Sequence, residues 1–356
     1  MIGVTALTMT VSMNLKQTLG LELPIIQAPM AGVQGADLAV AVSEAGALGS
    51  LPCAMLGIDA MREQLQAIRS GTGKPCNVNF FCHRPPAPDP AREAVWRGAL
   101  APYYAQFGID PASVKAGPGR VPFNAEAVAL LEEFRPTVVS FHFGLPDPAL
   151  LQQARQWGAR VFSSATTVEE GLWLQAQGVD AVIAQGLEAG GHRGMFLSDD
   201  ISTQMGSMAL LAQLVRALKV PVIAAGGIAD AAGVAAALRL GASLVQVGTA
   251  FLLCPEASTG AVHRRALQSD AARHTALTNL FTGRPARGIV NRLMRELGPI
   301  SAAAPAFPLA GAAIAPLRAA AEAQGSGDFS PLWSGQNASG CKAMPAGQLA
   351  RELAGL

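Results

Sequence analysis

The sequence predicts an α/β protein built on a (β/α)8 TIM barrel, with a Pro-rich insert after the third strand and a helical region at the C-terminal end. Short apolar runs, too brief for helices, recur about eight times, and longer segments of 3.6-residue periodicity alternate with them. At 356 residues the chain is long enough for one barrel of about 250 residues plus an appendage. Eight parallel strands with helices between them close such a barrel; an open doubly wound sheet is the runner-up.

Taken in order, the strands are expected at Pro24–Ala28, Ala47–Leu51, Cys76–Phe81, Thr137–His142, Ala159–Ser163, Ala181–Gln185, Pro221–Ala225 and Leu244–Val247. Helices are expected at Asp37–Glu44, Asp59–Arg69, Ala125–Phe134, Val168–Gln177, Ser207–Leu218 and Asp230–Leu240, with Asp59, Ser207 and Asp230 as N-caps. Gly46, Gly158, Gly178 and Gly241 fall just past helix ends, where a left-handed residue closes the last turn. Residues 82–122 are too many for a βα loop of roughly 2–6 residues; this Pro-rich insert, containing Tyr103 and Tyr104, is expected to cap the active face. After Cys254 the pattern changes to Ala-rich helices broken by Pro305, Pro308 and Pro316. The expected division is a barrel over residues 14–255 and a helical region over 256–356 packing on it.

Composition narrows the function. Half of the residues are hydrophobic and 14% are charged, which suits a core-rich folded chain. With 26 Lys+Arg against 25 Asp+Glu and no basic block, nucleic acid is not an expected partner. No apolar stretch approaches the roughly 18–20 residues that cross a bilayer, and Met1–Met13 lacks the charged start and cleavage site of a signal peptide, reading instead as a short extension. Five cysteines without Cys-x-x-Cys spacing fit neither a disulfide scaffold nor a zinc site, so the expected compartment is the reducing cytoplasm and the expected metal is none.

Barrel chemistry gathers where strands end. Gln27, Asn79, His142, Gln185 and Gln246 interrupt otherwise apolar or small runs at those ends, with Glu188 the one carboxylate nearby. A hard-cation site and a paired-carboxylate glycosidase are both poorly supported. Neutral amides donate and accept, which suits the edge of a planar heterocycle, although one such residue alone reads most simply as a buried group satisfying backbone. At the seventh and eighth strands, Gly226, Gly227 and Gly248 let backbone amides approach an anion and Thr249 adds a hydroxyl, at the position where barrels commonly hold phosphate. The plainer reading is tight turns that need glycine.

Gln185-Gly-Leu-Glu-Ala-Gly-Gly-His-Arg-Gly194 follows strand six and sets His192 among glycines, where a near-neutral imidazole can take a proton from carbon or stabilise an anion. His192 is the leading catalytic candidate. His142 shares a strand face with Ser140 and either contacts substrate or cofactor or orders His192. His83 falls in the insert, and His263 and His274 in the tail, where packing or surface roles are expected. Arg284, Arg287 and Arg292 read as salt-bridging or oligomer contacts, with reach toward an anionic substrate as the alternative.

These residues resemble the flavin-dependent nitronate monooxygenases, formerly called 2-nitropropane dioxygenases. The matching segments are Gln27-Ala-Pro-Met-Ala-Gly32, Asn77-Val-Asn-Phe80, Phe141-His-Phe-Gly144, Gly186-Leu-Glu-Ala-Gly-Gly-His-Arg-Gly194, Ala225-Gly-Gly-Ile228 and Gln246-Val-Gly-Thr249, extending to Trp333-Ser-Gly-Gln336. The Gly-Gly-His-Arg-Gly loop is the most specific; the chain departs from the pattern at Val33–Asp37 and Ser334, which bears on pocket lining more than on flavin.

The resemblance implies non-covalent FMN, its phosphate on Gly226, Gly227, Gly248 and Thr249. Pro29, Met30, Ala31, Asn79, Gln185, Gly190, Gly191 and Gln246 would border the ring or ribityl chain. It implies oxidation of a nitronate, or of a nitroalkane after proton removal by His192, to an aldehyde or ketone plus nitrite, with O2 as co-substrate and no nicotinamide. Electrons would pass singly from nitronate to flavin to oxygen. Tyr103, Tyr104, Phe141 and Trp333 are candidates for the substrate wall. The chief rival on the same barrel is an NAD(P)H-dependent reductase of quinones or enoyl thioesters. Rivals of other classes are a flavin-free phosphate-binding lyase or isomerase and a non-catalytic ligand-binding barrel.

Overall fold

Strands buried on both faces need apolar residues at successive positions, and the eight central segments have them. In the computed structural model, which describes residues 14–114 and 119–356, these are β1 (Ile25–Gln27), β2 (Gly49–Pro52), β3 (Cys76–Phe81), β4 (Val138–His142), β5 (Arg160–Ala165), β6 (Ala181–Gln185), β7 (Val222–Ala225) and β8 (Leu244–Val247). Each pairs in parallel with the next from β2 to β8; β8 then pairs with β1, and an Ile26–Leu48 bridge closes the circle. The protein is a (β/α)8 TIM barrel, as expected. Met1–Met13 lie outside the described residues.

Alternation along the strands assigns each residue to one of two cores. Ile26, Val138, Phe162, Ala181, Ile183, Ile223 and Leu244 form the barrel interior, closed at its base by Leu15, Leu19 and Leu21. Ile25, Val78, Val139, Phe141, Val161, Val182, Val222 and Val245 face the surrounding helices. Full burial of each such side chain stabilises by about 1.5–3 kcal/mol, so a one-residue slip, which would exchange the two sets, is strongly disfavoured.

Helix ends differ in part from expectation. Asp230 caps its helix by accepting from Gly233 N–H (2.8 Å), and Gly46, Gly158, Gly178 and Gly241 all take positive φ just past helix ends. Ser207 and Asp59 are not N-caps: Gly206 and Gly57 hold those positions, and Asp59 lies in its helix's first turn. Ser207 N–H donates instead to the Glu188 carboxylate (2.8 Å), which reaches over from the neighbouring loop to the positive end of the helix.

The insert forms a helix, Pro90–Phe107, that packs against tail helix Ala310–Ala323. Pro316 lies inside the latter helix rather than breaking it. The tail is also not purely helical: strands Thr275–Thr278 and Ala286–Ile289 pair antiparallel, and the second pairs with Gly191–His192. That pairing draws the glycine loop after β6 into a small sheet with residues almost one hundred positions away. Helix Ala346–Leu353 returns to the barrel, burying Ala346, Leu349 and Leu353 in the layer outside the sheet. Among the described residues, no helix is long and apolar enough to cross a membrane.

Candidate active site

One cavity opens at the C-terminal ends of the strands, lined by Pro29, Met30, Ala31, Asn79, His142, Gln185, Gly190, Gly191, His192, Gly226, Gly227, Gln246, Gly248 and Thr249. Strand parity explains the selection: Asn79, His142, Gln185 and Gln246 follow inward-facing positions of β3, β4, β6 and β8. Gln27 follows the outward-facing parity of Ile25 and is absent from the cavity. Its amide accepts from Ser50 N–H (3.0 Å) and donates to Gln34 (2.7 Å), the structural role open to any buried amide.

At the rim of β7 and β8, Gly226 (φ +113°) and Gly227 (φ +73°) hold conformations that side chains rarely adopt, and a Cβ on Gly227 would lie 3.1 Å from Glu188 Cβ. The N–H groups of Gly226, Gly227 and Gly248 donate to no carbonyl of the surrounding turns, and the Thr249 hydroxyl, which accepts from Gly335 N–H (2.9 Å), keeps its own proton for a ligand. Asn79 donates to the Ser140 hydroxyl (2.9 Å), leaving its carbonyl oxygen without a protein partner, and the Gln246 amide has none at either end among the described residues. Unpaired N–H groups beside neutral amides suit a ligand joining a phosphate to a planar heterocycle. Among the described residues, no group of three or more His, Cys, Asp or Glu could hold a metal.

The glycine loop is anchored from three sides. Gln185 donates to the His192 carbonyl (2.9 Å) and accepts from Gly194 N–H (2.8 Å). Arg193, wholly buried, donates to the carbonyls of Gln185 and Gly186 (both 2.7 Å) and to Gln204 (2.9 Å). His142 Nε2 donates to the His192 carbonyl (3.1 Å), so its Nδ1 accepts from Ser164 (2.9 Å). Nε2 of His142 thus orders the loop while Nδ1 is tied to β5, and burial lowers its pKa to about 4.

His192 Nε2 lies 2.9 Å from the Thr282 hydroxyl, which itself reaches the Arg284 carbonyl at 3.4 Å. Because that carbonyl only accepts, Thr282 donates to it and receives Nε2–H, leaving the lone pair of His192 on Nδ1. Burial, and then the charges of Arg120 and other nearby groups, push the His192 pKa well below its ordinary value. Phe81, Phe143, Phe307 and Trp333 surround the ring at centroid distances of 5.9, 6.0, 5.3 and 5.6 Å.

The expected substrate wall needs correction. Trp333 lines the cavity, but Phe141 has outward parity and packs on Phe123 at 5.2 Å. Tyr103 and Tyr104 are buried between insert and tail helices, where the Tyr104 hydroxyl donates to Ala313 O (2.6 Å). The arginine group also divides: Arg292 pairs with Glu296 (2.8 Å), Arg287 donates to Leu187 O (2.9 Å), and Arg284 donates to Met195 O while lying 4.1 Å over the Phe143 ring.

Several cavity residues had no signal in the local pattern. Arg120 comes from the insert, Asn337 from the tail, and His263 from helix Ala261–Leu267, its Nε2 buried without a partner. His263 was expected to pack or lie at the surface; instead the cavity wall includes it.

Fold and cavity together define a barrel whose strand-tip cavity brings a buried histidine and a glycine-rich rim into one lining. The nitronate monooxygenase family profile matches residues 12–355. A nitronate monooxygenase of Pseudomonas aeruginosa is 45% identical, covering 94% of this chain and 96% of its own length; one of Paraburkholderia phytofirmans is 43% identical, covering 94% and 92%. A solved nitroalkane oxidase from Streptomyces ansochromogenes superposes with a TM-score of 0.87 at 39% identity, over 96% of this chain and 97% of that one. The chain belongs to the nitronate monooxygenase family and is an oxidoreductase.

Proposed function

We propose that this protein uses FMN and O2 to oxidise alkyl nitronates, and nitroalkanes after deprotonation, to an aldehyde or ketone plus nitrite. The observation that carries the reading is the unprotonated Nδ1 of His192 in a cavity that, among the described residues, is lined by no carboxylate and includes glycines with unpaired N–H groups. When bound, FMN supplies the electron acceptor and the route to oxygen. Its phosphate would rest on Gly226, Gly227, Gly248 and Thr249, and its ring and ribityl chain would run past Pro29, Met30, Ala31, Asn79, Gln185, Gly190, Gly191 and Gln246. His192 takes the proton from the carbon beside a nitro group, and the imidazolium so formed then holds the resulting anion. His142 and Gln185 keep that ring in place through the His192 carbonyl; Trp333 borders the substrate. Five cysteines, all free, support a reducing cytoplasm as the compartment.

Purified protein should be yellow and should release nitrite from a nitronate in air. Mixed anaerobically, it should be bleached by nitronate and not by NADH or NADPH; the reverse pattern would make it a reductase. His192→Asn should lower nitroalkane turnover by about 10²–10⁴-fold, the range of general-base catalysis, and nitronate turnover far less. Equal loss on both substrates would remove the base role.

A further inference from the structure

A nitronate that arrives already ionised presents a problem to His192. Its Nε2–H is committed to Thr282 and its Nδ1 carries a lone pair, so the neutral ring has no proton to offer an anion. Another group must meet the charge.

Among the described residues lining the cavity, Arg120 is the only Lys or Arg, and no Asp or Glu accompanies it. Its guanidinium lies 5.8 Å from the Phe81 ring centre and 5.4 Å from that of Phe307, the same two rings that pack against His192. Neighbouring arginines are all tied to protein acceptors: Arg193 to Gln185, Gly186 and Gln204, Arg284 to Met195, Arg287 to Leu187. The Arg120 guanidinium donates to nothing among the described residues, and residues 1–13 and 115–118 contain no Asp or Glu that could pair with it. Burial lowers its pKa, yet no carboxylate offsets the cost. A half-buried guanidinium without an acid is better stabilised when a bound anion supplies the negative charge.

Resting on the nitronate reading above, we propose that Arg120 is the anion-binding residue of the site, its guanidinium pairing with the two nitro oxygens of a nitronate that enters ionised. The planar fork matches a planar two-oxygen group, which a lysine ammonium does not. Arg120 thereby sets the preference for nitronate over neutral nitroalkane, while His192 serves the latter.

The test compares flavin-loaded wild type with Arg120→Met and Arg120→Lys. Charge-assisted hydrogen bonds of this kind correspond to about 10–100-fold in binding, so Arg120→Met should raise the nitronate KM by that factor and the nitroalkane KM several-fold less, with Arg120→Lys in between. Nitrate, a planar oxyanion that cannot be oxidised, gives a readout independent of turnover: titrated against the flavin absorbance, it should bind Arg120→Met at least tenfold more weakly. Loss of this cation should also move the acid limb of nitroalkane turnover to higher pH, since His192 would then face only His83, His142 and Arg284. Should Arg120→Met fail to load flavin, Arg120→Gln serves in its place. Unchanged nitronate KM and nitrate binding would overturn the proposal, as would an equal rise in KM for both substrates. Wild type that binds nitrate through Arg120 but releases no nitrite from any nitronate would defeat the parent reading instead.

Discussion

The barrel wall of the cavity consists of backbone N–H groups, a hydroxyl, neutral amides and His142 at the tips of β3, β4, β6, β7 and β8, whereas the remaining wall carries Arg120, Trp333, His192 and His263, with Phe307 packed against His192. The first wall is held by strand register, and its one histidine, His142, is kept neutral by burial. The second is assembled from the insert, the glycine loop and the tail, and brings Arg120, Phe307 and Trp333 near His192. Hydrogen-bonding groups without charge can retain a ligand through a change in its redox state; a cationic, aromatic wall discriminates among small anions. If the proposed function holds, the division separates cofactor retention from substrate choice, and each should be open to disturbance without the other.

The largest expected effect is loss of stability in acid, which reaches both walls. Burial first of all lowers His83, His142 and His263 to about 4, and holds His192 well below its ordinary range. The unfolded chain binds protons near pH 6.5 while the folded one does not, so stability is present above that pH and is lost as pH falls toward the folded values. Each proton that the unfolded chain binds in excess over that window lowers stability by on the order of 1.4 kcal/mol per pH unit. Chemical denaturation at pH 7.5, 6 and 5 measures it; midpoints that do not move would mean the histidines are already solvated.

Next is the barrel wall. Valine at residue 227 combines strained backbone with a Cβ pressed on Glu188, about 2–3 kcal/mol, so Gly227→Val should weaken FMN binding by about 100-fold. Flavin retention on gel filtration and fluorescence titration report it. The two walls are independent if the flavin-loaded fraction keeps its nitronate KM, and a parallel rise in KM would join them.

How legible each wall was follows from the same division. Period-two alternation and local glycine chemistry located β3, β6 and β8 to the residue, along with Gly226, Gly227 and Gly248. Phe141 was misplaced although the rule was in hand: with Ser140 and His142 on one face, Phe141 must face the other way. Gln27 failed on the same parity. Thr282, Phe307 and Asn337 were missed because they reach the barrel through contacts 100 or so residues apart in sequence, which no local period encodes. The reading of the tail as helices alone hid the strand that pairs with Gly191–His192.

Tyr104 gives the smallest effect and a sharp check on where the second wall ends. Adjacent aromatics in a long insert suggested a substrate contact, yet Tyr104 is fully buried and its hydroxyl joins the insert helix to the tail helix at Ala313. Removing one such neutral hydrogen bond costs about 1 kcal/mol, and phenylalanine preserves the packing with Trp96, Leu100 and Leu317. Tyr104→Phe should therefore lower the denaturation midpoint slightly while leaving the nitronate KM unchanged. A shift in KM without a loss of stability would return Tyr104 to the substrate wall, and would require the insert helix to turn toward the cavity in solution.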